Sequence, residues 1–331
     1  MTDQVTIIGD GQMATVCGLI LAERNVPSRM WSVFRETIES LRVTRENRRY
    51  LPGVKLPAAM SFVTDARQAL EGSDLIVSAV PVQYVRAVWR QLASLVPRGA
   101  AVVSISKGIE NETLMVPSQI LVDVLDEPRV AALSGPTIAA ELARRMPATA
   151  VAASEHVALA DQVQRTFSTQ WFRVYTNSDA LGVELAAAVK NVIALAAGII
   201  DGLGAGDNAK AALVTRGLVE ITRLGMALGA KRETFAGLAG LGDLVTTCVS
   251  PSGRNRSAGE ALGRGRSLAE VMAATPSVIE GIPTTRSVRA LARKMGVAMP
   301  IVEAVHAVLF EGKDALVALS ELMSRDLRAE E

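Results

Sequence analysis

Lys190 is the residue whose type and position most clearly indicate a role in chemistry. It lies in the most apolar stretch of the chain. Residues 183–194 predict a helix, on which the neighbours at offsets of three, four and seven are all apolar: Val183, Ala186, Ala187, Ile193 and Ala194. Burial among them lowers the pKa of an ammonium group toward neutrality, where it exchanges protons efficiently. A lysine that snorkels past small alanines to water fits the same pattern. The adjacent Asn191, a second polar side chain in this run, favours a site.

A glycine-rich turn near the start of the chain predicts a dinucleotide site. The aliphatic run Val5–Ile8 leads into Gly9-Asp10-Gly11-Gln12-Met13-Ala14 and then into a helical pattern. This is the G-x-G-x-x-A fingerprint, in which Gly9 permits the tight turn and Gly11 lets the backbone approach a pyrophosphate. Ala14 is small enough for close packing of helix on strand, and the helix N-terminus attracts the anion.

The residues after the second predicted strand bear on the choice of dinucleotide. An acid commonly stands there in NAD-selective proteins, where it binds the ribose 2′-hydroxyl. Residues 31–35 read Trp-Ser-Val-Phe-Arg, and the first acid is Glu36. Ser32 and Arg35 suit a 2′-phosphate instead, so NADP is slightly favoured over NAD. An Arg35 that only begins a solvated helix fits equally well.

The elements that must position these residues change in character near residue 180. Before it, aliphatic runs alternate with amphipathic ones and predict strands at 5–8, 30–33, 75–80, 101–105, 130–134, 150–153 and 172–175. This alternation predicts an α/β fold with an N-terminal Rossmann-like, mainly parallel sheet. Only helices and glycine-rich loops are predicted afterwards. We therefore expect a dinucleotide-binding domain over residues 1–180 and an all-α substrate-binding and catalytic domain over 181–331, bridged by the helix of Lys190.

Three further segments carry polar groups on a glycine-rich backbone. Residues 106–108 (Ser-Lys-Gly) and 134–137 (Ser-Gly-Pro-Thr) each follow a predicted strand, which places Lys107 at a carboxyl end where open α/β sheets bind ligands. The third runs from 240–243 (Gly-Leu-Gly-Asp) to 253–256 (Gly-Arg-Asn-Arg). Each segment alone fits a turn or a solvated basic patch, but their combination predicts a site.

Composition excludes several classes of protein. The formal net charge of +1 gives no indication of a nucleic-acid or membrane-surface partner. Two cysteines, Cys17 and Cys248, make no disulfide framework, and no metal-type spacing surrounds His156 or His306. The run 185–200 falls short of roughly 18 uninterrupted apolar residues and carries a lysine at its centre. We expect a cytoplasmic protein with a small-molecule substrate, no metal and no membrane span, whose Ala-rich helices are compatible with a homodimer.

Taken in order, these segments resemble the bacterial-type NAD(P)-dependent glycerol-3-phosphate dehydrogenase family over nearly the whole chain. The motifs that carry the resemblance are Asn-x-x-Tyr-Leu-Pro-Gly-x-x-Leu-Pro at 47–57, Ser-Lys-Gly at 106–108, Ser-Gly-Pro-Thr at 134–137, Ala-Val-Lys-Asn at 188–191, Gly-x-Gly-x-Gly-x-Asn-Ala at 202–209, Thr-Arg-Gly at 215–217, Gly-Leu-Gly-Asp-Leu at 240–244, Arg-Asn-Arg at 254–256 and Glu-Gly at 280–281.

The resemblance implies interconversion of sn-glycerol 3-phosphate and dihydroxyacetone phosphate by hydride transfer with NAD(P), which supplies glycerol phosphate for phospholipid synthesis. It implies that Lys190 transfers the proton and that Lys107, Asp243 and Thr247 line the reacting centre. The implied substrate contacts are Lys107, Gly135, Thr137, Lys190, Asn191, Asp243, Gly253, Arg254 and Asn255. Together with the fingerprint and strand-end residues discussed above, the expected coenzyme contacts are Gly9, Gly11, Gln12, Met13, Ser32, Arg35, Lys107, Ala139, Arg254, Val278 and Glu280. In this arrangement Lys107 would keep the pKa of Lys190 low, while Asp243 would raise it and orient the ammonium group.

The sequence departs from the family pattern at several positions. Ala14 replaces a closing glycine, Gln12-Met13 replace a Ser-aromatic pair, 32–34 lack the usual Gly followed by His or Arg, and Gly253 replaces a serine. A β-hydroxyacid dehydrogenase or ketopantoate reductase also carries a catalytic lysine on a bridging helix, but the Arg-Asn-Arg and Leu-Pro-Gly segments argue against both. A catalytically silent NAD(P)-binding sensor need not retain the proton-transfer groups that this chain keeps.

Overall fold

An eight-stranded sheet forms the centre of the first part of the chain in the computed structural model, which describes residues 4–126, 128–275 and 277–326. In chain order the strands are β1 (Val5–Ile8), β2 (Ser28–Trp31), β3 (Glu46–Asn47), β4 (Leu51–Lys55), β5 (Met60–Phe62), β6 (Leu75–Ser78), β7 (Ala101–Ser104), β8 (Arg129–Ser134), β9 (Ala148–Ala153) and β10 (Phe172–Asn177). The sheet order is β10-β9-β8-β7-β6-β1-β2-β5, and β3 with β4 forms a separate antiparallel hairpin.

The predicted mainly parallel sheet is confirmed, with one exception in its pairing. All neighbouring strands run parallel except β8 and β9, which pair antiparallel. The seven predicted strands are present, although the strand predicted at 30–33 lies at 28–31. The sequence analysis missed β5 and the β3–β4 hairpin. Each of these strands has only two to five residues and lies at an edge or outside the sheet, so no long aliphatic run marks it.

Helices cover both faces of the sheet because the connections between parallel strands need crossovers. They are α1 (Gln12–Glu23), α2 (Arg35–Thr44), α3 (Ala66–Leu70), α4 (Val82–Leu92), α5 (Pro117–Val124), α6 (Ala139–Leu142) and α7 (Val157–Phe167), with a short 3₁₀ turn at Ala93–Leu95. Residues 4–177 are called the sheet region below.

After β10 the described residues contain helices and no strand. They are α8 (Ala180–Leu203), α9 (Asp207–Ala227), α10 (Arg232–Ala236), α11 (Asp243–Val249), α12 (Arg254–Gly263), α13 (Leu268–Ala273), α14 (Gly281–Lys294), α15 (Pro300–Phe310) and α16 (Ala315–Met323), with a π turn at Leu238–Gly242 before α11. Residues 180–326 are called the helical region. The change from sheet to helices falls between Asn177 and Ala180.

Helix α8 is the core of the helical region. The Asp179 side chain caps it by accepting a hydrogen bond from the Gly182 amide at 2.9 Å. The same carboxylate accepts from the Lys231 amide at 2.8 Å and the Thr234 hydroxyl at 2.6 Å, which ties the start of α8 to α10. Residues 182–200 are all buried, against α9, α11, α12 and α14 among others. By length and composition α8 is the one helix in the described ranges that could cross a membrane, yet its 18-residue apolar window is entirely buried inside the protein.

Helices α8 and α12 pack backbone to backbone, which fixes the position of α12 relative to Lys190. A Cβ atom on Gly198 would lie 1.9 Å from the Arg256 carbonyl oxygen, and one on Gly259 would lie 2.0 Å from the Leu195 carbonyl oxygen. Side chains at these positions are therefore excluded. The contact places the first turn of α12 beside the middle of α8.

Candidate active site

Two lysines from different regions of the fold share one buried carboxylate. Lys190, in the middle of α8, donates to Oδ1 of Asp243 at 2.6 Å, and Lys107, in the loop after β7, donates to Oδ2 at 2.7 Å. Asp243 is the first residue of α11 and is 2 % exposed. Two ammonium groups against one carboxylate leave the cluster with a net positive charge when all three are ionised, which suits an anionic ligand.

The environment of Lys190 prepares it for proton transfer. Its Nζ also donates to the Thr247 hydroxyl at 2.6 Å, and that hydroxyl donates in turn to the Asp243 carbonyl at 2.6 Å. The pKa of Lys190 is lowered to about 8, because burial and the charge of Lys107, which lower it, outweigh Asp243, which raises it. Two of the three ammonium hydrogens have partners among the described residues, so the third remains for a ligand oxygen.

Asp243 stays ionised because it is paired on both sides. Burial alone would raise its pKa, but the charges of Lys107 and Lys190 outweigh burial and hold the pKa below its ordinary value. A carboxylate that remains charged fixes the position of both ammonium groups. It therefore orients the lysines and keeps its own proton off throughout the neutral pH range.

Lys107 brings the 134–137 segment into the same site. Its Nζ donates to the Gly135 carbonyl at 2.9 Å and approaches the Thr137 hydroxyl at 3.5 Å. Gly135 has a φ of +144°, and a Cβ there would lie 2.9 Å from the Ala150 Cα, so only glycine fits. Ala139 follows as the first, buried residue of α6.

A chain of buried amides holds the backbone of Lys107. Asn191 donates to the Lys107 carbonyl at 3.4 Å, Asn255 donates to the Asn191 side-chain oxygen at 2.9 Å, and the Gly281 amide donates to the Asn255 side-chain oxygen at 2.9 Å. Both asparagines are buried and bonded to protein groups. The structure thus gives them a positioning role that the sequence analysis, which expected substrate contacts, did not consider.

Arg254 and Glu280 lie at the margin of this network. Arg254 is the first residue of α12, with Gly253 as its N-cap, and its guanidinium donates to the Val278 carbonyl at 3.0 Å. Most of the guanidinium donors remain available at a helix N-terminus, an arrangement that suits a phosphate. Glu280 accepts from the Val82 amide at the start of α4, and burial raises its pKa to about 7.

The fingerprint turn has the geometry that a dinucleotide requires. Gly9 has a φ of +125°, and a Cβ on it would lie 2.6 Å from the Ala79 carbonyl. The space beside Gly11, the N-cap of α1, is open to 4 Å, so a pyrophosphate can approach the backbone. Gln12 and Met13 begin α1 and are half-buried. These residues fit NAD or NADP.

Other expected coenzyme residues are less well placed for a phosphate. Ser32 is buried directly after β2, and its hydroxyl accepts from the Phe34 amide at 3.2 Å. The Arg35 side chain is 76 % exposed and pairs with Glu39 at 3.0 Å. Arg35 therefore takes part in an exposed i,i+4 ion pair, a kind of pair that contributes little free energy.

The sequence analysis missed Asn47 as a support of the fingerprint turn. This residue is 1 % exposed in the β3–β4 hairpin and donates to the Asp10 carbonyl and to the Thr15 hydroxyl, both at 2.8 Å. It was noted only as the first residue of the 47–57 motif. The sequence shows only an asparagine in a polar segment, and its partners Asp10 and Thr15 lie more than thirty positions away.

The family models decide the identity of the fold. The N-terminal model of NAD-dependent glycerol-3-phosphate dehydrogenase matches residues 4–160, and the C-terminal model of the same family matches residues 179–320. The chain belongs to this family. The resemblance inferred from the motifs is thereby confirmed, and the second match begins at the change from sheet to helices.

Individual members of the family agree over the full length. A glycerol-3-phosphate dehydrogenase (NAD(P)+) of Geobacter sulfurreducens is 48 % identical over 100 % of this chain and 99 % of its own. The crystal structure of glycerol-3-phosphate dehydrogenase from Coxiella burnetii is 36 % identical, covers 98 % of this chain and 99 % of its own, and superposes with a TM-score of 0.95.

The rival enzymes considered from sequence share the fold at a greater distance. A ketopantoate reductase from Ralstonia eutropha superposes with a TM-score of 0.60 at 16 % identity, over 97 % of this chain and 99 % of its own. That likeness concerns the fold alone. The ketopantoate reductase and β-hydroxyacid dehydrogenase alternatives, and the silent sensor, are not favoured beside the family match.

Proposed function

We propose that this chain interconverts sn-glycerol 3-phosphate and dihydroxyacetone phosphate with NAD or NADP. The observation that carries the proposal is the Lys190–Asp243–Lys107 cluster, in which a lysine with a pKa of about 8 is held at the junction of the sheet and helical regions. The family membership supplies the substrate class and the coenzyme.

The division of labour follows the fold. Residues 1–180 hold the dinucleotide through Gly9, Gly11, Gln12 and Met13 at the start of α1, and residues 181–331 supply Lys190, Asp243, Thr247 and the start of α12. Lys107, Gly135 and Thr137 extend from the sheet region into the reacting centre. When bound and reduced, the nicotinamide supplies the hydride to C2 of the ketone.

Lys190 is the proton donor in the reductive direction. Its free N–H donates to the C2 oxygen, and the proton moves from Nζ to that oxygen as negative charge develops there. Lys190 is then a neutral amine beside an Asp243 that Lys107 still neutralises. In the oxidative direction the neutral amine accepts the hydroxyl proton, and a pKa of about 8 keeps both forms accessible near neutral pH.

The phosphate of the substrate is bound by Arg254 and the N-terminus of α12, a helix start that Asn255 holds in place through Asn191 and Gly281. A guanidinium offers a planar fork of donors, and the helix N-terminus adds backbone amides and a favourable dipole. A Cβ on Gly253 would lie 3.1 Å from the Thr247 carbonyl oxygen, so this N-cap packs closely on the end of α11. The chain therefore acts on a small phosphorylated substrate. By its family resemblance it acts in the cytoplasm and supplies glycerol phosphate for phospholipid synthesis.

A homodimer is also proposed, but not through the Ala-rich helix α8, which is buried on all sides. Leu241, Val245 and Val249 are 39–58 % exposed and lie four residues apart, so they share one outward face of the π turn and α11. Light scattering on the purified protein tests this by measuring the oligomeric state. Val249→Glu places a charge on the proposed interface and should give a monomer, whereas a monomeric wild type contradicts the proposal.

The activity is tested by initial rates with dihydroxyacetone phosphate and with unphosphorylated dihydroxyacetone, each with NADH and NADPH. The phosphorylated ketone is turned over and the other is not, because only the phosphate uses Arg254. Arg254→Ala removes this preference, whereas Arg264→Ala, at the far end of α12 and paired with Glu260, retains it. Equal turnover of both ketones contradicts the phosphate site.

A further inference from the structure

Asp10 places an acid inside the fingerprint turn itself. The residue lies between the two glycines of the turn and is 9 % exposed. Its Oδ2 atom is fully buried and has no hydrogen-bond partner among the described residues. A buried carboxylate oxygen without a partner costs free energy, which a ligand that donates a hydrogen bond to it would recover.

The position of Asp10 is next to the end of β2, where the coenzyme's adenosine ribose lies in dinucleotide-binding folds. The Gly9 amide donates to the Trp31 carbonyl at 2.7 Å, which joins the end of β1 to the end of β2. Burial raises the pKa of Asp10, and the hydroxyls of Ser32, directly after β2, and Thr37, in α2, partly counter this by stabilising the ionised carboxylate. The acid that is absent from the sequence after β2 is therefore supplied in space from the β1–α1 turn.

Two arginines in this part of the fold are paired with acids. Arg35 pairs with Glu39 at 3.0 Å, and Arg48 pairs with Glu46 at 3.2 Å. Arg49 is the cation whose charge acts on Asp10, and its guanidinium also lies 5.1 Å from the centre of the Tyr50 ring.

A solvent-open cavity of about 260 Å³ lies between α2 and the hairpin, and two of its lining residues, Thr37 and Asn47, contact Asp10. Its charged lining residues are Glu36, Glu46, Arg48 and Arg49. Acids therefore stand beside this cavity as well as cations. Such a mixed lining suits a neutral hydroxyl better than a dianionic phosphate.

We propose that Asp10 is a coenzyme-specificity residue that accepts the 2′-hydroxyl of NAD and repels the 2′-phosphate of NADP. The inference rests on the proposed dinucleotide function and reverses the slight preference for NADP expected from Ser32 and Arg35. A hydroxyl can donate to the orphaned Oδ2, whereas a phosphate presents only negative charge to a carboxylate in a poorly solvated position.

The test is direct binding of NADH and NADPH to the full chain, measured by calorimetric titration. The wild type binds NADH more tightly by about tenfold or more, the scale of one hydrogen bond to a charged group. Asp10→Asn and Asp10→Ala narrow or invert this ratio, by weakening NADH and strengthening NADPH. Glu71→Gln, which removes an exposed acid of the sheet region outside both the fingerprint turn and the cavity, leaves the ratio unchanged and is the matched control.

The outcomes separate the two proposals. Equal affinities in the wild type, a preference for NADPH, or an unchanged ratio in folded Asp10→Asn overturns the role of Asp10 while the dehydrogenase function stands. Arg35→Ala identifies the origin of any NADPH preference. Failure of the wild type to bind either dinucleotide instead overturns the proposed function. Circular dichroism of each variant establishes that it is folded.

Discussion

The Nζ of Lys107 and the Oδ2 of Asp243 lie 2.7 Å apart although 136 positions separate the two residues in sequence. One belongs to a loop of the sheet region and the other to α11 of the helical region. The ion pair is buried on the Asp243 side and partly exposed on the Lys107 side. Since the same carboxylate also orients Lys190, the reacting centre exists only when the two regions are docked.

Replacement of Lys190 by alanine removes the proposed proton donor. We expect turnover to fall by roughly 10²-fold or more, the scale of general acid–base catalysis, with the dissociation constant for NAD(P)H unchanged. Steady-state rates and coenzyme titration measure the two quantities. The control is Lys313→Ala, which removes the 2.7 Å ion pair between Lys313 and Glu321 of α16 and keeps full activity. Near-normal turnover of Lys190→Ala would remove the residue from the mechanism.

The pH dependence of turnover follows from the pKa of Lys190, which burial lowers to about 8. Ketone reduction needs the ammonium form, so its rate falls as pH rises through about 8, while alcohol oxidation needs the amine and gains over the same range. Lys107→Met removes a charge that lowers this pKa and shifts the falling limb to higher pH. A shift to lower pH, or a profile without a limb near 8, contradicts the electrostatic coupling.

Asn47→Ala tests the hairpin as a support of the coenzyme turn. The amide of Asn47 donates to the Asp10 carbonyl and the Thr15 hydroxyl at 2.8 Å each, so its loss loosens the turn without changing any charge. We expect NADH and NADPH to lose affinity by the same factor, in contrast to the Asp10 variants. The same calorimetric titrations measure the two affinities. Arg48→Ala, a substitution in the same hairpin that keeps the Asn47 hydrogen bonds, is the control. A change in the ratio of the two affinities argues against a purely positioning role.

Glu220 makes the folded state sensitive to pH. Its carboxylate accepts from the Ile301 amide at 2.8 Å at the start of α15, and burial raises its pKa to about 7, against an ordinary 4.5. Because the pKa of Glu220 is higher in the folded state, the protonated carboxyl contributes to the free energy of unfolding. This contribution is fully present below about pH 4.5 and is lost as pH rises through about 7. The loss is on the order of a few kcal/mol.

Glu220→Gln keeps the acceptor and removes the titration. The difference in free energy of unfolding between variant and wild type therefore changes between pH 5 and 8, in favour of the variant at the higher pH. Chemical denaturation at several pH values measures it. Parallel curves for the two proteins would show that Glu220 has an ordinary pKa.

Local patterns were sufficient for the parts of the fold that are governed by short-range rules. The aliphatic runs β1, β6 and β7 are buried central strands, and both faces of such strands must be apolar. The apolar surroundings of Lys190 indicated its burial because helical spacing is regular. These features depend on residues a few positions apart.

Features that depend on tertiary contacts were missed or left open. The bracing role of Asn47 needs a partner 37 residues away, and the antiparallel direction of β9 is set by how its connection folds back. The residues directly after β2 carry no acid before Glu36, whereas Asp10 of the β1–α1 turn lies beside the end of β2, which the Gly9–Trp31 backbone hydrogen bond joins to β1. Pairing across the fold is not encoded in local periodicity.

The burial of α8 has a consequence for the order in which the protein folds during synthesis. The ribosome releases this 24-residue apolar helix before α9, α11, α12 and α14, the helices that cover it. Until about a hundred further residues have emerged, at roughly 5–20 residues per second, the stretch that carries Lys190 has no partner to pack against. We expect the nascent chain to be prone to aggregation during this interval, because the apolar surface of α8 stays exposed until the helices that cover it have been synthesised.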